Sequence, residues 1–192
     1  PERAGKKIGR QRHPPEMMDL RNQTVIHDLC EIENIDCPGI SVSSNCSAGN
    51  IAIGYGVEMI RCKRADIAIV GGYEVFRLLV FDKLSKIGLL TKETCRPFEK
   101  RRDGMFLGEG VGVLILESKE AVLKAGKKNY GEIIGFGAGS DAYHTMKFSP
   151  VGKGVNHAVN SAMADAGIDA ADIDLVIADA KGMGEGDRAE AF

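Results

Sequence analysis

The chain has 192 residues, 44% of them hydrophobic, and a formal net charge of −2. That is enough apolar material for a sizeable buried core, and the charge balance gives no electrostatic reason to expect a nucleic acid partner. No apolar run approaches the roughly 18–20 residues that span a bilayer, and no basic n-region followed by an apolar h-region marks a secretory signal, so no membrane partner is expected.

Residues 1–16 are polar and basic and end on Pro14 and Pro15. They read as a solvated loop or frayed end, or as part of a docking surface for an acidic partner. Residues 16–32 carry Met17, Leu20, Val25 and Leu29 at roughly helical spacing. CPGISVSS (37–44) reads as a turn and a short buried strand. Ser47–Arg64 reads as a helix with Ile51, Ile53, Val57 and Ile60 on one face, and its glycines at 49, 54 and 56 imply close packing. ADIAIVGG (65–72) is a compact β-branched run that predicts a buried strand. Strand, helix and strand in succession predict a βαβ unit and a parallel sheet.

Residues 73–90 are apolar and mixed, helical or irregular. The loop TKETCRPFEKRRDG follows, and its charges from Glu99 to Asp103 suggest local ion pairs. GEGVGVLILES (108–118) predicts a strand, KEAVLKAGKK a short amphipathic helix, and YGEIIGFGAGSD a strand and turn. Residues 154–167 predict a helix closed by Gly167, and DIDLVIADA (172–180) a last strand. The chain starts at Pro1 and stops at Phe192 inside a helical pattern, GDRAEAF, so a piece of a longer protein is expected.

Five cysteines stand at 30, 37, 46, 62 and 95. Their number is odd, their spacing irregular, and no CxxC pair is present. Neither a zinc site nor a disulfide framework is expected, and reduced thiols in a cytoplasm are the default. Cys46 differs from the others in context, within SSNCSAGN (43–50). A thiol between a strand and a helix N-terminus meets outward-pointing N–H groups and the positive end of a helix dipole. Both favour thiolate and could stabilise an oxyanion. A buried, inert cysteine is the alternative.

The segments ISVSSNCSAGNIAIGYG, ADIAIVGG and CRPFEKRRDGMFLGEGVGVLILE, with DAYH (141–144) ahead of Pro150 and Gly152, resemble the β-ketoacyl synthases in order and spacing. These are condensing enzymes of fatty acid and polyketide synthesis. The resemblance runs from about residue 35 to the end. It implies an α/β fold of the thiolase-like αβαβα layered kind, here an incomplete portion of it. Residues 1–34 would be an entry segment and helix. Residues 35–192 would hold the core, with the C-terminal half starting near 129. Cys46 would be the nucleophile, its own N–H half of the oxyanion hole. The implied reaction is decarboxylative Claisen condensation with a malonyl unit. An acyl carrier protein and a homodimeric or heterodimeric second subunit would be its partners. No resident cofactor is implied, since phosphopantetheine arrives on the carrier.

The chain departs from the pattern at one motif. The family's first histidine opens a sequence of the type HGTSTxxGD. In the register set by Gly186-Asp187, Asp179 stands at the histidine, and Lys181 and Met183 stand where threonines contact the pantetheine arm. An ionised carboxylate offers no proton and brings negative charge toward a developing enolate. ADAKGMGEGDRAEA instead looks like the chain-length factors, non-condensing partner subunits that usually lack the cysteine. A subunit of that kind is therefore the alternative. Glu190 matches a supporting glutamate of the family. His144 is a weaker candidate for lining the substrate pocket, while His27 and His157 read as ordinary helix residues. GFGAGS (135–140) echoes a dinucleotide loop but lacks the GxGxxG register, leaving a nucleotide-binding module as the remote third reading.

Overall fold

The computed structural model describes residues 22–145 and 147–191. The basic stretch 1–16, Met17 and Leu20 lie outside the described residues, as does Phe192. The chain divides into two units, 1–43 and 44–192.

In the first unit, helix α1 (Asn22–Ile32) ends where Asn34 turns into the left-handed region at φ 52° and the Ile35 N–H donates to the Cys30 carbonyl at 2.9 Å. Gly39 then crosses α1 against the Ile26 side chain so closely that a Cβ would clash. Burial first, and then the neighbouring Cys37, push the Cys30 thiol above its ordinary value.

In the second unit, helix α2 (Ala48–Arg61) packs on strand β1 (Ile67–Glu74). Two glycines of the SAGNIAIGYG run make this contact close. Gly56 faces Val70 and Leu116, where a Cβ would come within 2.5 Å of Val70 Cγ1. Near the other end, Gly49 Cα lies 3.5 Å from where a Gly72 Cβ would sit. Val57 and Val70, each 8% exposed, anchor the buried side of this layer. After helix α3 (Leu78–Lys86) and the charged loop, strand β2 (Gly110–Glu117) returns to pair with β1.

The β1–β2 pairing is antiparallel, with Ile67 opposite Glu117 and Glu74 opposite Gly110. This corrects the expected βαβ unit and parallel sheet. Helix α2 does lie on β1, but residues 35–44 ahead of it enter no ladder, so the first strand of such a unit does not form. The strands expected within 130–141 and over 172–180 likewise enter no ladder. Composition can favour an extended run, but a strand also needs a neighbour to take its backbone donors and acceptors. Leu175, Val176 and Ile177 accordingly stand 76–89% exposed.

Helix α4 (Lys119–Ala125) is capped by the Ser118 hydroxyl, which accepts from the Ala121 N–H, and closes on left-handed Gly126. Helix α5 (Lys153–Ala166) explains GFGAGS. Gly135, Gly137 and Gly139 each abut its backbone, at Ala162, Ala158 and Gly154. Glycine at every second position lets one edge of this segment lie directly against the helix, where any Cβ would collide. A packing role thus accounts for these glycines, in place of phosphate binding. Arg61 fastens the two layers. It donates to Asp165 on α5 at 2.8 Å and to the Ile134 carbonyl at 3.1 Å, while the Phe136 N–H donates to the same Asp165 at 2.9 Å. The chain ends in helix α6 (Gly184–Glu190).

Candidate active site

Cys46 sits in the middle of a 3₁₀ turn, Asn45–Ser47, that runs directly into α2. Asn45, just before it, has φ 48°. Asparagine tolerates this left-handed conformation better than most residues, at a cost of about 1–3 kcal/mol. The turn closes through the Ser47 N–H on the Ser44 carbonyl at 3.2 Å, and the Ser47 hydroxyl donates to the same carbonyl at 2.8 Å. Ser47 is the N-cap of α2, yet its hydroxyl is turned back to Ser44 and makes no capping bond. The positive end of α2 is therefore left beside the thiol without a side-chain acceptor. Cys46 is exposed, so it does not fill a core.

The segment 179–190 supplies the facing groups. The Lys181 Nζ lies 2.5 Å from Asp179 Oδ2. Burial pulls the ammonium toward its neutral form, but Asp179 and Cys46 outweigh it and hold the lysine above its ordinary value. Lys181 is thus turned toward Asp179. Met183 is half-buried and is the N-cap of α6, its carbonyl accepting from the Asp187 N–H at 2.9 Å.

Glu190 fixes the segment from below. Its two carboxylate oxygens accept from the Asp179 and Ala180 N–H groups, each at 3.0 Å. Ala180 has φ 50°, so the clamp holds a strained residue between Asp179 and Lys181. Asp187, 1% exposed, accepts from the Gly182 N–H at 3.1 Å and from the Phe98 N–H at 2.8 Å. Arg102 faces it, Nε 3.5 Å from Oδ2, and donates through Nη2 to the Gly184 carbonyl at 2.9 Å. The Cys95 thiol donates to the Lys181 carbonyl at 3.2 Å. Within the charged loop Arg96 pairs locally with Glu93 at 3.3 Å, but in the run from Glu99 to Asp103 the contacts reach further: Arg102 meets a buried carboxylate across the fold, and Asp103 accepts from the Thr91 hydroxyl at 2.7 Å.

Asp187, Arg102 and Cys95 were not singled out from the sequence. The available signal was the pairing of two polar, Gly-containing stretches, RRDG and GEGD, since a carboxylate can be buried only against donors. In DAYH the structural work falls to Asp141, whose oxygens accept from the Gly154 N–H at 2.6 Å and the Ser149 N–H at 2.9 Å. His144 is exposed in the adjoining loop. An open cleft of about 630 Å³ adjoins the Cys46 turn, lined by Ser44, Ser47, Asn50, Phe136, Ser140 and His157 among others. His144 does not line it. Among the described residues, no three His, Cys, Asp or Glu side chains are grouped to hold a metal, and no helix is long and apolar enough to cross a membrane.

Residues 32–121 match the family model for the beta-ketoacyl synthase N-terminal domain, and residues 130–192 match that for its C-terminal domain. Nodulation protein E from Rhizobium sp. (strain N33) is 36% identical over 154 residues, covering 80% of this chain and 38% of the relative. The 3-oxoacyl-[acyl-carrier-protein] synthase 2 of Staphylococcus aureus is 33% identical over 159 residues, covering 80% and 40%. A solved structure described as AntDE:AntF, a type II PKS acyl-carrier protein in complex with its ketosynthase bound to the hexaketide, superposes with TM-score 0.85. It shares 27% identity over 93% of this chain and 46% of that one. The likeness extends the thiolase-like fold to this chain, which spans about two fifths of the length of the curated relatives it matches.

Proposed function

Because the chain belongs to the β-ketoacyl synthase family, we propose that Cys46 takes an acyl group from an acyl carrier protein thioester and condenses it with a malonyl unit. This is the acyltransferase chemistry of fatty acid or polyketide synthesis. The observation that carries the reading is an exposed thiol at the uncapped mouth of α2. As Cys46 Sγ bonds to the acyl carbon, charge moves onto the carbonyl oxygen, where the Cys46 N–H and the start of α2 offer donors. The carrier sulfur leaves with the proton that Cys46 gave up. Loss of CO₂ from the malonyl unit then leaves an electron pair on carbon. That pair attacks the Cys46 thioester, and the C–S bond breaks to regenerate the thiolate. The pantetheine arm comes with the carrier, the protein works in the cytoplasm with no cofactor of its own, and a second ketosynthase subunit, like or unlike, completes the dimer.

A second reading rests on one observation. In the register that the family resemblance sets, Asp179 stands at the first histidine, and an ionised carboxylate cannot donate a proton to the enolate. On that reading the chain is a non-condensing subunit that shapes the product's length beside an active partner. Loading the protein, with its partner subunit, from an acyl carrier thioester and locating the acyl group by peptide mass spectrometry separates the two. Acylated Cys46 is expected. A thiol that stays free under conditions that load the partner sinks the enzyme reading. Asp179→His is expected to raise decarboxylative condensation, and flat turnover in a normally loaded variant would show that Asp179 does not limit the reaction.

A further inference from the structure

We propose that Arg102 is a positioning residue: by anchoring the first turn of α6 it sets, through Glu190 in the last turn, where the side chain at position 179 stands, and with it the turnover of the acylated enzyme. The consequence for turnover rests on the reading of Cys46 as the acyl acceptor, whereas the anchoring stands on the geometry alone.

Arg102 differs from its neighbour Arg96 in what it meets. Arg96 pairs with Glu93, three residues away on the same loop, and its side chain is 32% exposed. Arg102 is 21% exposed, and its fork joins two segments. Nη1 donates to the Glu99 carbonyl of its own loop at 2.7 Å, and Nη2 donates to the Gly184 carbonyl at 2.9 Å. Nε stands 3.5 Å from the Asp187 carboxylate. Gly184 and Asp187 both belong to the first turn of α6. A planar guanidinium fixes the spacing and angle of two carbonyls, which the single point charge of a lysine does not. The same loop also ties the residues just ahead of α6. The Cys95 thiol donates to the Lys181 carbonyl and the Gly104 N–H to the Gly182 carbonyl, each at 3.2 Å.

Helix α6 carries this anchor to position 179. Its seven residues, Gly184–Glu190, span about 10 Å. At the far end the Glu190 oxygens accept from the Asp179 and Ala180 N–H groups, each at 3.0 Å. Ala189, beside Glu190, is 2% exposed, and Gly152 lies so close to its carbonyl oxygen that a Cβ would clash. The last turn therefore has a fixed contact on one side, while the first turn depends on the charged loop. Without Arg102 the first turn is free to pivot about the Ala189 contact, and the Glu190 clamp shifts with it. Ala180 has φ 50°, a conformation that relaxes once its clamp loosens.

Two measurements read the two halves of the proposal, in the protein with its partner subunit. One is hydrogen exchange at single amides. The other is ketoacyl product formed from a malonyl carrier thioester, expressed per acylated Cys46. Both are made on wild type, Arg102→Leu and Arg102→Lys, the last keeping a cation beside Asp187 should the leucine variant fail to fold. Exchange at the Asp179 and Ala180 amides is expected to quicken about fivefold in Arg102→Lys, the worth of one hydrogen bond, ahead of amides in α2. Turnover per acylated thiol is expected to fall about tenfold in Arg102→Lys and about 10²-fold in Arg102→Leu, the loss that a shift of about 1 Å can cause. An arginine that only stabilised the fold would quicken exchange throughout and leave turnover per acylated thiol unmoved. Unmoved exchange at 179 and 180 overturns the anchoring, and so does quickening shared equally by α2. Local quickening with unmoved turnover overturns the positioning role and leaves the condensing reading. A wild type that takes no acyl group, or loads without condensing, removes the condensing reading instead, and exchange then decides the anchoring by itself.

Discussion

Replacing Asp187 with alanine tests whether the site loop is built from the far side of the fold. The carboxylate is 1% exposed, accepts from two donors, the Phe98 N–H at 2.8 Å and the Gly182 N–H at 3.1 Å, and forms an ion pair with Arg102, whose Nε lies 3.5 Å away. Removing it strands a guanidinium only 21% exposed and two backbone amides. Breaking a buried pair by deleting one partner costs about 3–5 kcal/mol, and the amides add to it. Relief of the left-handed backbone at Phe98, φ 62°, returns about 1 kcal/mol. The net is about 3 kcal/mol, a large share of a typical folding free energy of about 5–15 kcal/mol. With a urea m-value of about 1–3 kcal/mol/M, the midpoint should fall by about 1–3 M. Asp187→Asn keeps one acceptor and should lose about half as much. Arg102→Leu in the Asp187→Ala background should recover part of the loss, because no uncompensated charge remains. A midpoint for Asp187→Ala within 0.3 M of wild type would refute the argument that this carboxylate organises the loop.

Three further outcomes follow from the same geometry. Gly182→Ala puts a Cβ at φ 76°, 2.8 Å from the Gly104 carbonyl oxygen and 2.9 Å from the Cys95 sulfur. A loss of about 1–3 kcal/mol in urea is expected, and a neutral result would show that the two loops are not in contact. Glu190→Gln retains one acceptor for the Asp179 and Ala180 amides, now 3.0 Å from the carboxylate oxygens. It should cost about 1 kcal/mol, and hydrogen exchange should quicken at those two amides before others. Asp165 is held below the ordinary carboxylate range first by the Arg61 hydrogen bond, then by the Phe136 N–H. Its folded value lies below its unfolded one, so its contribution is complete above about pH 4 and is lost as pH falls through the folded value. Acid denaturation should therefore be steeper in the wild type than in Asp165→Asn below about pH 4. Arg61 is held above its ordinary value first by the hydrogen bond to Asp165, so its side of the pair persists throughout the acid range.

Local order in the second unit was legible wherever a residue type does one job. The helix expected from Ser47 forms over Ala48–Arg61, and that expected over 154–167 forms over Lys153–Ala166. The strands expected over 65–72 and 108–118 form at Ile67–Glu74 and Gly110–Glu117. Their direction was not legible. A β-branched run reports that it can be extended, while parallel or antiparallel pairing depends on which other run reaches it. DIDLVIADA has the composition of a strand and finds no ladder. The glycines of GFGAG carried a readable period of two, which marks an extended segment with one bare edge. Only α5 showed what that edge was for.

The placement of Cys46 was legible, because small polar residues around a thiol mark the turn that starts a helix. The site was less legible at 179–187, where the sequence shows Asp179 and Lys181 as separate departures from a family pattern. Geometry makes them one change. A carboxylate alone at position 179 would face a developing anion with negative charge. The lysine two residues on brings its ammonium to 2.5 Å from that carboxylate. The local charge then depends on the pair, so replacing Asp179 by histidine alone leaves a cation that Asp179 previously oriented. The double variant Asp179→His, Lys181→Thr should accordingly differ from the sum of its parts, as residues in direct contact do. If the two substitutions instead add within about 0.3 kcal/mol in transition-state free energy, Asp179 and Lys181 act independently and the pairing has no chemical consequence.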